Sequence, residues 1–247
     1  MSDHPVFVPT SSGPVGGIVT EPDGRLRAAA VILEGVGGRR FGVNRVLTRT
    51  AWALAHLGMV VLRVDYPGKG ESGMTKPSAR TEPILLECMR WFRERTQALP
   101  LQLVATCAGT LPAARFAAEE PDLLGLTLIS PHLRTPPPEG AFIHARQLAG
   151  RTLGRARRPL DRRTRWAVVA VARRAPTVAI VGEADVSLRD TRALRELAWR
   201  AGAQIELDVV PGAALHGQTT LRSQEETLER VLRSVSAAMQ RQGAVLR

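Results

Sequence analysis

Aromatic side chains are scarce in this chain, ten in 247 residues, and lysines are scarcer, with Lys69 and Lys76 the only two. So few rings argue against a nucleic-acid surface built on base stacking, and no nucleic-acid motif accompanies the positive charge. Two cysteines, Cys88 and Cys107, make no disulfide framework and suit a reducing compartment. The start, Met1-Ser-Asp-His-Pro5, is polar and lacks the apolar core of a secretory signal, so a cytoplasmic location is expected. No uninterrupted apolar run approaches the roughly 20 residues of a transmembrane helix. The cysteines lack ligand spacing and the five histidines are scattered, so neither a metal nor a cofactor is expected.

What is present suits one large α/β domain spanning residues 1–247, with 44% hydrophobic residues to fill its core. The net charge of +11 is almost all arginine, a bias that a GC-rich genome also produces without function. Its placement is uneven. From Arg134 to Arg174 eleven arginines face only Glu139 and Asp161. Such a segment suits an anionic partner, such as a coenzyme A phosphate or an acidic carrier protein, or simply a solvated face.

Along the chain, Val6 to Pro9 and Val15 to Thr20 predict an opening hairpin. Ala28 to Leu33 and Val60 to Val64 are continuous apolar runs, as in strands covered on both faces. Between them Asn44 to Leu57 has helical spacing, with Asn44 as N-cap and Gly58 as stop. Pro83 to Gln97 repeats Ile84, Leu85, Cys88, Trp91 and Phe92, which turns Cys88 toward the core. Leu124 to Ile129, Thr177 to Val181 and Gln204 to Val210 predict further strands, with a helix from Leu188 to Ala201 and a closing helix from Ser223 to Arg241. Ser223 and Glu226 have the spacing of a capping box. Residues 131–175, with three consecutive prolines and the arginine cluster, read as an inserted lid. Alternation of strands and helices means a mostly parallel sheet covered on both faces, with the chemistry at the carboxyl ends of its strands.

One stretch organises the rest. Leu103-Val-Ala-Thr-Cys-Ala-Gly109 is an apolar strand running into an alanine-rich helix, in the small-x-nucleophile-x-Gly pattern of a nucleophile elbow. The neighbours Ala105 and Gly109 are small enough for strand and helix to approach. Cys107 stands where serine is commoner, at a helix N-terminus whose field favours a thiolate. A buried structural cysteine is the competing reading.

Cys107, Asp185 and His216 follow one another in the order nucleophile, acid, histidine, each just after an expected strand, and in this the chain resembles the α/β-hydrolases. Asp65-x-x-Gly68-x-Gly70-x-Ser72 resembles a glycine-rich loop of that family, and Gly182-x-x-Asp185 resembles its acid turn. More narrowly, Gly38 to Gly73 resembles the hydrolases found beside exosortase systems and related thioesterase-like proteins, which also place cysteine at the elbow. The resemblance implies that His216 is the base, that Asp185 orients it, and that the amides of Val36 and Ala108 form the oxyanion hole. His132 is the rival histidine, and Glu183 and Asp190 are rival acids. Asp65 is expected to be structural, satisfying turn amides. Where the family usually has His-Gly, this chain has Glu34-Gly35, which leaves the anchoring of that loop open.

The implied activity is cleavage of a small-molecule ester or thioester through an acyl-cysteine, thioesterase-like and in a biosynthetic pathway. An acyl group on sulfur keeps much of its transfer potential. Acyl transfer, cyclisation or acyl elimination on the same triad is therefore the alternative, and a non-catalytic binding protein of this fold a further one.

Overall fold

A computed structural model describes residues 1–35, 37–73, 81–96, 99–134, 161–214 and 220–245. Eight strands form one sheet: β1 (Ser2–Val8), β2 (Val15–Glu21), β3 (Ala28–Leu33), β4 (Met59–Val64), β5 (Leu101–Thr106), β6 (Leu123–Ile129), β7 (Thr177–Gly182) and β8 (Glu206–Val210). Their spatial order is β1-β2-β4-β3-β5-β6-β7-β8. β2 pairs antiparallel with both β1 and β4, and every pairing from β4 to β8 is parallel. Six α-helices lie among the described residues: α1 (Val46–His56), α2 (Thr81–Arg95), α3 (Thr110–Glu119), α4 (Arg162–Ala172), α5 (Leu188–Arg200) and α6 (Leu221–Val245). None of them is long and apolar enough to cross a membrane.

Side-chain alternation along the central strands divides the core in two. Ala29, Val31 and Leu33 of β3 share one face with Leu101, Leu103 and Ala105 of β5, packed under α2, α3, α4 and α5. Ala28, Ala30 and Ile32 face the other way with Val104, under α1 and α6. All six residues of β3, β4, β5 and β7 are buried, which is why these strands read as unbroken apolar runs. Arg63 interrupts that pattern on β4. Its guanidinium reaches Thr48 of α1 at 2.8 Å, Thr20 of β2 at 3.3 Å and Asp3 of β1, fastening the antiparallel hairpin to the parallel sheet.

Two helix starts differ from expectation. Asn44 lies inside a 3-10 turn at φ 49°, and α1 begins at Val46 with no side-chain cap. Ser223 is already within the first turn of α6, and Thr220 caps it. The Thr220 hydroxyl accepts the Ser223 amide at 3.1 Å while the Ser223 hydroxyl accepts the Thr220 amide at 3.1 Å, a reciprocal box shifted upstream. Glu226 instead pairs with Arg222.

Of the segment expected as a lid, 135–160 lie outside the described residues. Arg162–Ala172 is a helix that buries Thr164, Val168, Val169 and Val171 and packs on α3, so this end of it belongs to the body.

Candidate active site

β5 reaches Thr106 in extended conformation (φ −108°, ψ 143°), and at Cys107 φ turns positive, to 47°. A non-glycine residue in this region costs about 1–2 kcal/mol, so the surroundings must hold it there. Two amides do so at the Cys107 carbonyl, those of Thr110 and, at 3.0 Å, His132. Close packing adds to their hold. A Cβ on Gly35 would lie 2.7 Å from that of Cys107, and one on Gly109 would lie 2.7 Å from the Glu34 carbonyl oxygen. Strand, turn and helix therefore meet at contact distances that only glycine permits. Cys107 is half-buried there, and neither it nor Cys88 is in a disulfide.

The sheet register places the other expected groups at the same edge. Thr106 of β5 is level with Ile129 of β6, and Ile129 with Ile180 of β7, so Cys107 and the turn after β7 emerge together, two strands apart. In that turn Asp185 is 6% exposed and its Oδ1 accepts the Ser187 amide at 2.7 Å. The Ala184 amide donates to the Ala213 carbonyl at 2.9 Å, tying the acid turn to the loop that leaves β8 toward position 216. His216 itself, and Val36 in the loop after β3, lie outside the described residues. Ala108 occupies the 3-10 turn directly after Cys107.

The rival residues and Asp65 lie in surroundings of their own. Asp190 receives two hydrogen bonds from the Arg134 guanidinium, both at 2.6 Å. Glu183 accepts the Gly212 amide at 2.9 Å on the surface. His132 is exposed. Asp65, fully buried, accepts the amides of Arg40 at 2.8 Å and Glu71 at 3.1 Å, as expected of a turn carboxylate, and is ion-paired with the Arg40 guanidinium.

No protein-family model matches the sequence, and no curated protein matches it significantly. Solved structures do match. A carboxyl esterase from Bacillus coagulans superposes with a TM-score of 0.73 at 15% identity, over 97% of this chain and 99% of its own. A dienelactone hydrolase from Anabaena variabilis gives 0.66 at 16%, over 96% and 97%. An alpha-beta serine hydrolase homologue from Coxiella burnetii gives 0.65 at 18%, over 94% and 97%. The fold is that of the α/β-hydrolases. Within the α/β-hydrolase fold, Cys107 occupies the strand-to-helix turn after the fifth strand.

Two residues of this edge escape sequence reasoning. Tyr66, the chain's one tyrosine, lies just past β4 and donates its hydroxyl to the Glu34 carbonyl. Burial, then the nearby charges of Glu34 and Cys107, push its phenol well above the ordinary range, so it stays a donor. Glu34 turns its own carboxylate back to accept the Arg39 amide at 2.5 Å. Burial pushes that carboxyl above its usual value, and the charge of Asp65 adds to the shift while Arg39 opposes it. The uniqueness of Tyr66 beside Asp65 was the available signal; Glu34 gave none, because its partner is chosen by the path of the loop.

Part of the arginine cluster is structural. Arg173 donates to the Ala201 carbonyl at 2.8 Å, and Arg174 to those of Glu120, at 2.6 Å, and Ala117. These carbonyls lie at the ends of α5 and α3, where helical amides run out, although that of Ala117 also accepts the Glu120 amide at 3.3 Å. Arg162 and Arg163 remain exposed in the first turn of α4.

Proposed function

We propose that this protein cleaves an ester or thioester through an acyl intermediate on Cys107. The observation that carries the reading is the positive φ of Cys107 at the β5–α3 junction, where glycines on two sides admit the turn. A structural cysteine does not require that strain, whereas a nucleophile presented above a sheet edge does. His216 takes the thiol proton, and Asp185, orienting the imidazole, stabilises the imidazolium. Sulfur attacks the carbonyl carbon, and the amides of Val36 and Ala108 receive the developing oxyanion. As the tetrahedral adduct collapses, His216 returns the proton to the departing alcohol or thiol. Water, deprotonated by His216, then attacks the acyl carbon, and as the carbon–sulfur bond breaks and the acid departs His216 returns the proton to the Cys107 sulfur.

Esterases among the structural neighbours support small-molecule esters as substrates, and the resemblance of Gly38 to Gly73 to exosortase-associated hydrolases supports cysteine in the nucleophile role. The exposed Arg162 and Arg163 give weaker support for an anionic acyl donor, of the kind coenzyme A or an acyl carrier would supply.

Incubation of the purified protein with activated acyl esters and thioesters, followed by intact mass, tests the reading directly. An acyl adduct that maps to Cys107 and is blocked by prior iodoacetamide treatment is expected. Turnover that persists after complete alkylation of Cys107 overturns it.

A further inference from the structure

The loop after β3 is closed by hydrogen bonds from two directions. From below, the Tyr66 hydroxyl holds the Glu34 carbonyl, the Tyr66 amide donates to the Gly38 carbonyl at 2.7 Å, and Asp65 accepts the Arg40 amide. From within, the Glu34 carboxylate crosses the loop to the Arg39 amide and lies against Gly37, where a Cβ would sit 3.1 Å from either carboxylate oxygen. Consecutive amides, those of Arg39 and Arg40, thus end on two different carboxylates. The first turn of the same loop is closed by Gly38, whose amide donates to the Gly35 carbonyl at 3.2 Å. Gly35 touches Cys107, so whatever fixes this loop fixes its distance from the sulfur.

We propose that the Glu34 carboxylate is the positioning group that holds Gly37 and Arg39 in place beside Gly35 and Cys107, and thereby controls turnover at the site. This rests on the reading of Cys107 as nucleophile and of this loop as an oxyanion donor. Asp65 and Tyr66 are the loop's outer supports; among the described residues, Glu34 is the loop side chain that bonds back across it. An ionised carboxylate makes a stronger bond to an amide than a neutral acid does. The charged and titratable groups around it are Arg39 on its own loop, Asp65 with its partner Arg40, Tyr66, and Cys107 on the elbow. Burial favours the protonated form, so Glu34 takes up its proton at higher pH than a free glutamate. The hold then weakens as pH falls through that range, adding a component to the acid limb of activity.

The test uses the full chain with Glu34→Gln and Glu34→Ala, reading amide hydrogen exchange over residues 37–41 and the pH profile of ester turnover. Expected for Glu34→Ala is exchange at least about tenfold faster in the loop with β5 amides still protected. Its kcat is expected to fall about 100-fold with KM little changed. Glu34→Gln, which keeps an acceptor oxygen, is expected to lose less activity and to shed the Glu34 component of the acid limb. Unchanged loop exchange in both variants overturns the proposal. Faster exchange with unaltered kcat and pH profile overturns it too, since the loop would then not govern the chemistry. A wild type that forms no acyl-Cys107 overturns the nucleophile reading instead; the exchange measurement still decides whether Glu34 holds the loop.

Discussion

Cys88 and Cys107 are the same residue on successive elements, and the fold treats them in opposite ways. Cys88 sits on the inner face of α2 with no exposure, among Ile84, Leu85, Met89 and Phe92, and burial, then the charge of Glu87, pushes its thiol up to about 12. Cys107 is half-buried, in a left-handed backbone conformation between β5 and α3. A helix face asks only for apolar volume, and a thiol supplies it. A sharp strand-to-helix turn asks for glycine or for a reason to tolerate strain. Cysteine content says nothing about which of these applies; backbone context says most of it.

The widest separation between the two is expected in turnover. Cys107→Ala should lower kcat/KM by roughly 10^4-fold, as loss of a covalent nucleophile does. Cys88→Ala should leave turnover within about twofold and cost about 1 kcal/mol of stability for the sulfur-sized gap. Steady-state kinetics with one ester substrate on both variants decides this. Equal losses would end the distinction.

Glycine at each position sharpens the contrast, because the same substitution should change sign. In the interior of α2, Cys88→Gly loses helix propensity worth about 1 kcal/mol and a buried side chain worth about as much again. At the elbow, Cys107→Gly releases the positive-φ strain and should raise stability by about 1 kcal/mol while abolishing turnover. Urea unfolding of the two variants gives the values. A destabilised Cys107→Gly would mean that the side chain, rather than the glycine contacts, holds the turn.

The placement of both cysteines, one on a buried helix face and one at a strand-to-helix turn, was legible before the structure, for different reasons. Ile84, Leu85, Cys88 and Phe92 recur at helical spacing, a local signal that burial then confirmed. The central strands were equally plain, being apolar on both faces. Helix starts were not. Asn44 has the chemistry of a cap, yet the chain enters α1 through a 3-10 turn that points it elsewhere, and Thr220 took the role expected of Ser223. Caps depend on how the preceding loop approaches, which residue identity does not encode. The site divides in the same way. Cys107 and Asp185 follow strands and so inherit their placement from the sheet register, while Glu34 acts through an amide five residues ahead, set by a loop whose outer supports come from after β4.

A smaller effect follows from the raised thiol of Cys88. In the unfolded chain this group titrates near its ordinary value of 9.0, and in the folded one near 12. Below pH 9 both states carry the proton and nothing differs. Above it the unfolded chain releases the proton while the folded chain retains it, so folding stability falls as pH rises, by about 1.4 kcal/mol per unit. Between pH 9 and 10.5 that amounts to about 2 kcal/mol. Cys88→Ala removes the titrating group and should flatten this part of the profile, giving a variant less stable than wild type at pH 8 and level with it or better near pH 10.5. Denaturant midpoints across that range read the crossing. Parallel profiles for the two proteins would place Cys88 in contact with solvent and remove the burial on which its difference from Cys107 depends.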